Sequence, residues 1–305
     1  DVAITVGTTL TIDEAVDLAA GNLELDSGGA VTQAGTGTIT AAGLDLMGAG
    51  PYSLLLGNDI DTLAGSTGGN ISVTDINDVS IAAVTTVGLT TPGSLVVTAG
   101  GTIDQPGGDP IDVGGTSEFT VTGAGDVDIL SGPNAFDGAV QFTNNGNIAN
   151  LYAQKASGAA PFPDIPAGLN NLTIIWEPNS DIPGGGITVA GTLVLWTDTT
   201  LTQTGPIVAD QLLLRGTGSF VLDNVNNDVN VLASDADGAV TFVDQDDLDI
   251  GTVLGVPGVT SVDSNLSLQT LNGFGITFSD RVDVGTAAIS LNTTAAITQA
   301  AGASL

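Results

Sequence analysis

The strongest constraint on this chain is that it repeats itself. The stretch NDIDTLAGSTGGNISVTDINDVSIAAV at 58–84 returns as NDVNVLASDADGAVTFVDQDDLDIGTV at 227–253, at a constant offset of 169 residues and with no gap. Nine of the 27 aligned positions are identical, among them Asn58/Asn227, Leu63/Leu232, Gly69/Gly238, Asp75/Asp244 and Asp78/Asp247. A shorter third copy, GAVQFTNNGNI at 138–148, matches GAVTFVDQDDL at 238–248. A second phrase interleaves with the first: an aliphatic residue, then Thr or Asp, then Gln, with Gly two or three residues on. Its glutamines are Gln33, Gln105, Gln203 and Gln299, spaced by 72, 98 and 96 residues. Self-similarity on this scale is the mark of a repeat architecture.

A shorter period lies inside the longer one. Strand-like segments such as NLELD, SLVVTAGGTIDQ, EFTVTG, DVDIL, AVTFV and NLSLQT alternate apolar with polar, and Gly, Asn or Asp stand between them. Equivalent strands recur every 20–24 residues or so: Leu23 to Leu44, Leu95 to Phe119, Leu193 to Leu212, Leu266 to Ile289. That is about one turn of a parallel β-helix, whose inward residues stack coil upon coil. The aliphatic residues, with aromatics at only 4%, suit a narrow core. The 43 glycines supply corners and close approaches. The reading is an all-β parallel solenoid of about 14 coils, a rod roughly 65 Å long at the spacing of paired strands. Tandem β-sandwich modules of about 100 residues are the alternative, favoured by the longer Gln spacings. They leave the 20-residue recurrence without a role. The nearest approach to a helical period is TIDEAVDLAA at 11–20.

Within one continuous solenoid, residues 1–149 and 191–305 read as regular coils. Residues 150–190, with the prolines of PFPDIP and WEPNSDIPGGG, read as an irregular coil or loop excursion. The chain begins at Asp1 without a signal peptide and reads as a processed or truncated piece.

Charge narrows the function. There are 34 acidic residues against Lys155, Arg215 and Arg281, a net charge of −31. Nucleic-acid binding needs a basic footprint and is excluded. No apolar run approaches the length of a membrane helix, so no membrane insertion is expected. With neither Cys nor His, disulfides, thiolate metal sites and Ser–His or Cys–His catalysis are excluded. The chain is therefore expected not to be an enzyme. Carboxylate pairs such as Asp246 and Asp247 would in principle serve glycoside hydrolysis, but neighbours on a strand face opposite sides. The sole lysine, Lys155, reads as an exposed loop residue.

Two features carry the remaining chemistry. The segment DQDDLDI places Asp244, Asp246, Asp247 and Asp249 close together, with Asp235 and Asp237 just before. Such hard oxygen donors on a turn suit Ca²⁺, although no strict calcium motif is present; a solvated acidic turn is the simpler reading. The copies replace these positions with Asp75, Asn77 and Asp78, and with Asn144 and Asn147, all oxygen-bearing. The four glutamines read as corner amides that bond backbone or stacked neighbours rather than as a binding face. Trp176 and Trp196 would stack on sugar rings if exposed, but plugging a widened core or filling an interface is the simpler reading.

The AVTQ/ITQ phrase, the NDV…LA…GAVTF phrase and strands such as NLSLQT resemble the repeat regions of filamentous haemagglutinin-type exoproteins and other giant bacterial surface adhesins. The likeness runs over nearly the whole chain and concerns repeat grammar. It implies a right-handed β-helix shaft, secreted in the bacterial manner, displayed outside the cell or on its surface, and doing structural or adhesive work. The partners so implied are glycans or cell surfaces, and further repeats or copies of the chain stacked head-to-tail along the axis. A carbohydrate-binding or carbohydrate-active β-helix is the alternative function.

Overall fold

The computed structural model describes residues 1–144, 146–178 and 180–304. It is nearly all β, with 54% strand and 1% helix. The strands pair in parallel and wind a β-solenoid of about 14 turns. Parallel pairing rules out the sandwich alternative, whose sheets are antiparallel. Among the described residues the antiparallel exception is a small hairpin, Thr252–Val253 against Val256–Pro257. Residues 11–20 are not helical. They hold the strand Leu10–Ile12, which pairs with Val31–Gln33, and Val16–Asp17, which pairs with Ile39 and Thr40.

The chain divides into two compact units, Asp1–Pro163 and Asp164–Leu305. In the first, Leu23 stacks in register on Leu44, Leu44 on Leu63 and Leu63 on Ile81, and all four are fully buried. On another wall of the same unit, Val73, Val97, Phe119 and Phe142 form a second inward column. There the rings of Phe119 and Phe142 stack at 5.9 Å. In the second unit the equivalent ladder is Leu172, Leu193, Leu212, Leu232 and Ile250. A further column there is Leu222, Phe242 and Leu268. Each column is what period-two alternation produces when coils pair one above the next: every second side chain points to the axis and meets its own counterpart.

Regular strands also occupy much of 150–190. Ile148–Lys155 belongs to the first unit. Asn171–Trp176, Ser180–Ile182 and Ile187–Thr188 pair with later coils of the second. The backbone without strands lies chiefly between Lys155 and Asn171, where the prolines of PFPDIP stand.

Candidate functional site

A parallel solenoid must satisfy the backbone groups at its corners, where the strand ladder is interrupted. This chain does so with its glutamines. Gln33 Nε2 donates to Gly37 O at 2.7 Å and to Asn58 Oδ1 at 2.6 Å, while its Oε1 accepts from Leu56 N. Asn58, fully buried, accepts Ile39 N at 2.9 Å and donates to the carbonyls of Leu54 and Thr74. About one long repeat later the arrangement recurs. Gln203 donates to Gly205 O and Asn227 Oδ1; Asn227 accepts Ile207 N and donates to Gln203 Oε1, Leu222 O and Val243 O. Gln105 and Asn134 build the same pair at another corner of the first unit. Gln299 donates to Ala303 O. These amides bond backbone and each other, the structural role expected from the repeated phrase.

A carboxyl forms the third layer of two of these stacks. Asp75 follows Asn58 in register. Its Oδ2 accepts Ile60 N at 2.7 Å and its Oδ1 accepts Asn77 N at 2.8 Å. Asp244 repeats this in the second unit, accepting Val229 N and Asp246 N, both at 3.0 Å. Asp75 is 2% exposed and Asp244 fully buried. Burial outweighs the two N–H donors at each. It pushes Asp75 up to about 6, with Asp59 and Asp61 adding to the rise, and Asp244 up to about 8, with Asp246 adding there.

The acidic segment is thereby split. Asp244 and Asp246 come together through the Asp246 backbone N–H, which donates to Asp244 Oδ1. Asp247 is exposed and accepts Gly275 N at 2.6 Å. Asp249 stands on the following strand, Leu248–Ile250, with a buried Oδ1 that has no donor. Among the described residues no group of three or more His, Cys, Asp or Glu side chains is placed to hold a metal. The physical reason is that Asp244 turns inward to the corner backbone while Asp247 caps the next coil. In the third copy Asn147 donates to Thr122 O, and the Asn144 side chain lies outside the described residues.

The sole lysine departs from its sequence reading, while Trp176 takes the core-filling role. Lys155 is 1% exposed, not a loop lysine; it ends the strand Ile148–Lys155 and its Nζ donates to Gly158 O at 3.3 Å. Trp176 is 1% exposed and its ring is not open to a sugar. Trp196 is half-buried, with the Arg215 guanidinium 5.0 Å from its ring centre. Arg215 in turn holds Asp235 with two nitrogens, at 3.1 and 2.9 Å.

Each unit also folds a flap across an outward face. In the second unit, Val253 covers an apolar column of Val194, Leu213 and Ala233, with Val231 and Val256 packed alongside. In the first, the repeat-equivalent Val84 opens the segment that covers Asp45. The N–H groups of Thr85 and Thr86 donate to Asp45 Oδ2 at 3.0 and 2.5 Å, and Asp45 is fully buried. The same flap therefore meets apolar side chains in one unit and a carboxylate in the other.

A family model described as repeats of unknown function (DUF5649) matches residues 68–143, a run of coils within the first unit. No curated protein matches the chain, and no solved structure does. The class defined by these findings is a repeat-built, parallel β-solenoid.

Proposed function

We propose that the chain is a structural or adhesive shaft of the filamentous haemagglutinin type, working outside the cell and without turnover. One observation carries this reading: coil after coil, the interior is closed by aliphatic ladders and the corner side chains bond their own backbone. The amides and carboxyls that repeat most faithfully, Asn58/Asn227 and Asp75/Asp244, hold coils together rather than face a substrate. Exposed acidic residues such as Asp112, Asp181 and Asp198 keep the outside charged. A stiff, soluble spacer needs both properties.

Further coils or copies of the chain, added along the axis, are the partners this reading favours, because the terminal coils of any solenoid offer unpaired strand edges. Two experiments test it. Incubation with a panel of polysaccharides should release no reducing ends; turnover on any of them would replace the shaft by a carbohydrate-active solenoid. Sedimentation and electron microscopy across protein and salt concentration should show end-to-end assembly favoured by salt. A sharp monomer throughout would remove self-association from the proposal.

A further inference from the structure

An asparagine loses its side-chain amide most readily where the next backbone nitrogen is free to reach it. In the strands that nitrogen is tied up. Asn70 is followed by β-branched Ile71, whose N–H donates to Ser94 O at 2.9 Å, and Asn265 by Leu266, whose N–H donates to Ala288 O at 3.0 Å. Asn58, Asn134 and Asn227 are buried, and their carboxamides bond on several sides. Asn272 is placed differently. It precedes Gly273 at the tip of the turn 271–274, which Phe274 N closes by donating to Leu271 O at 3.0 Å. The φ angles are 55° at Asn272 and 87° at Gly273, both positive as in the tight turns that favour Asn-Gly. Both residues are exposed. Among the described residues Gly273 N has no acceptor, and a Cβ at Gly273 would meet nothing within 4 Å. The Asn272 side chain reaches the preceding coil, where its Nδ2 donates to Gln245 O at 3.1 Å.

We propose that Asn272 and Gly273 form a self-modification site, at which the chain converts its own asparagine into aspartyl and isoaspartyl residues and so releases a bond between coils. Water is the co-reactant. The turn opens, Gly273 N gives up its proton to hydroxide and attacks Asn272 Cγ. The Cγ–Nδ2 bond breaks, ammonia leaves, and a succinimide ring closes. Water then adds to either ring carbonyl, giving aspartate or a main chain that runs through Cγ. No group is oxidised or reduced. Glycine suits the step because no Cβ crowds the attacking nitrogen. The opening is local, at an exposed tip with little to hold it. Either product loses the donor to Gln245 O and adds a carboxylate to a segment that already carries Asp246 and Asp247. The isoaspartyl form also lengthens the main chain by a methylene, which the tight turn does not accommodate.

The test is incubation of the full chain at mildly alkaline pH beside a synthetic peptide of residues 268–277. Both are followed by peptide mass mapping, ammonia release and isoaspartyl-specific methylation. The chain's other Asn-Gly pair, at 145–146, is mapped separately. Aspartyl and isoaspartyl residues should accumulate at position 272 of the folded chain, faster as pH rises and within about a hundredfold of the peptide rate. Asn70 and Asn265 should stay intact over that time. Asn272→Gln should abolish the change at this position, and Asn272→Asp should lower the melting temperature as ageing of the wild-type chain does. A folded-chain rate more than about a hundredfold below that of the peptide overturns the proposal, because the turn is then a lock and not a reactive site. Conversion of Asn70 or Asn265 as fast as Asn272 overturns it too, since the free nitrogen would confer nothing. An Asn272→Asp chain as stable as wild type overturns the release of a bond between coils.

Discussion

At the scale of single residues, the corner amides are where side-chain chemistry and stability meet most directly. Asn227 accepts Ile207 N and donates to three oxygens in a fully buried setting. Asn227→Ala strands several of those groups at once. The expected cost is about 3 kcal/mol, read as a lower denaturation midpoint, and Asn58→Ala should behave alike. Asp75 makes a different prediction. Its carboxyl titrates near 6 when folded and near 3.8 when free. The folded state therefore binds more protons between those values, and stability falls as pH rises through the window. The contribution is complete below about 4 and lost above about 6. Wild-type melting temperature should drop between about pH 4 and pH 6, and Asp75→Asn, which cannot ionise, should flatten that part of the profile.

At the scale of elements, close stacking of turns explains why certain glycines recur. A Cβ on Gly238 would lie 2.1 Å from Gly218 O, and one on Gly138 would lie 2.3 Å from Gly115 O. Both contacts are with backbone, which cannot swing aside. Gly238→Ala should cost about 2 kcal/mol or more through overpacking, measured by chemical denaturation. The flap of the second unit is held by apolar contact at a fully buried Val253. Val253→Ala should cost about 1–2 kcal/mol and open the hairpin to proteolysis, with cleavage beginning near exposed Leu254. In the first unit, where two N–H groups bind Asp45, the corresponding change Val84→Ala should have the smaller effect.

At the scale of the whole molecule, charge dominates the response to solution conditions. A net charge of −31 opposes compaction through self-repulsion. Added salt should raise the melting temperature until screening saturates. Ca²⁺ at millimolar concentration should also raise it. Because the four carboxylates of 244–249 are divided among a corner, a cap and a strand, we expect Ca²⁺ to match Na⁺ at equal ionic strength. A larger effect of Ca²⁺, lost in Asp247→Asn, would establish specific binding instead.

Much of the fold was legible in the residues. Leu23, Leu44 and Leu63 alternate with polar neighbours and recur at one-coil spacing, and that pattern admits few architectures besides a parallel stack. The repeated glutamines likewise announced a corner role, because Gln beside Gly has little else to do in a turn. Tertiary structure decided what the local pattern leaves open. The period of a strand states which side chains point inward, yet not which backbone groups a corner leaves unpaired. Hence Asp244 looked like a solvated or calcium-binding acid, although it turns inward to Val229 N, a partner 15 residues away. Asp45 was hidden for the same reason: a charged residue reads as exposed unless a distant segment covers it. The flap over Asp45 comes from residues 40 and 41 positions further along the chain. Periodicity is local and survives in sequence, whereas burial and pairing of charge depend on contacts between coils and appear only once the chain has wound.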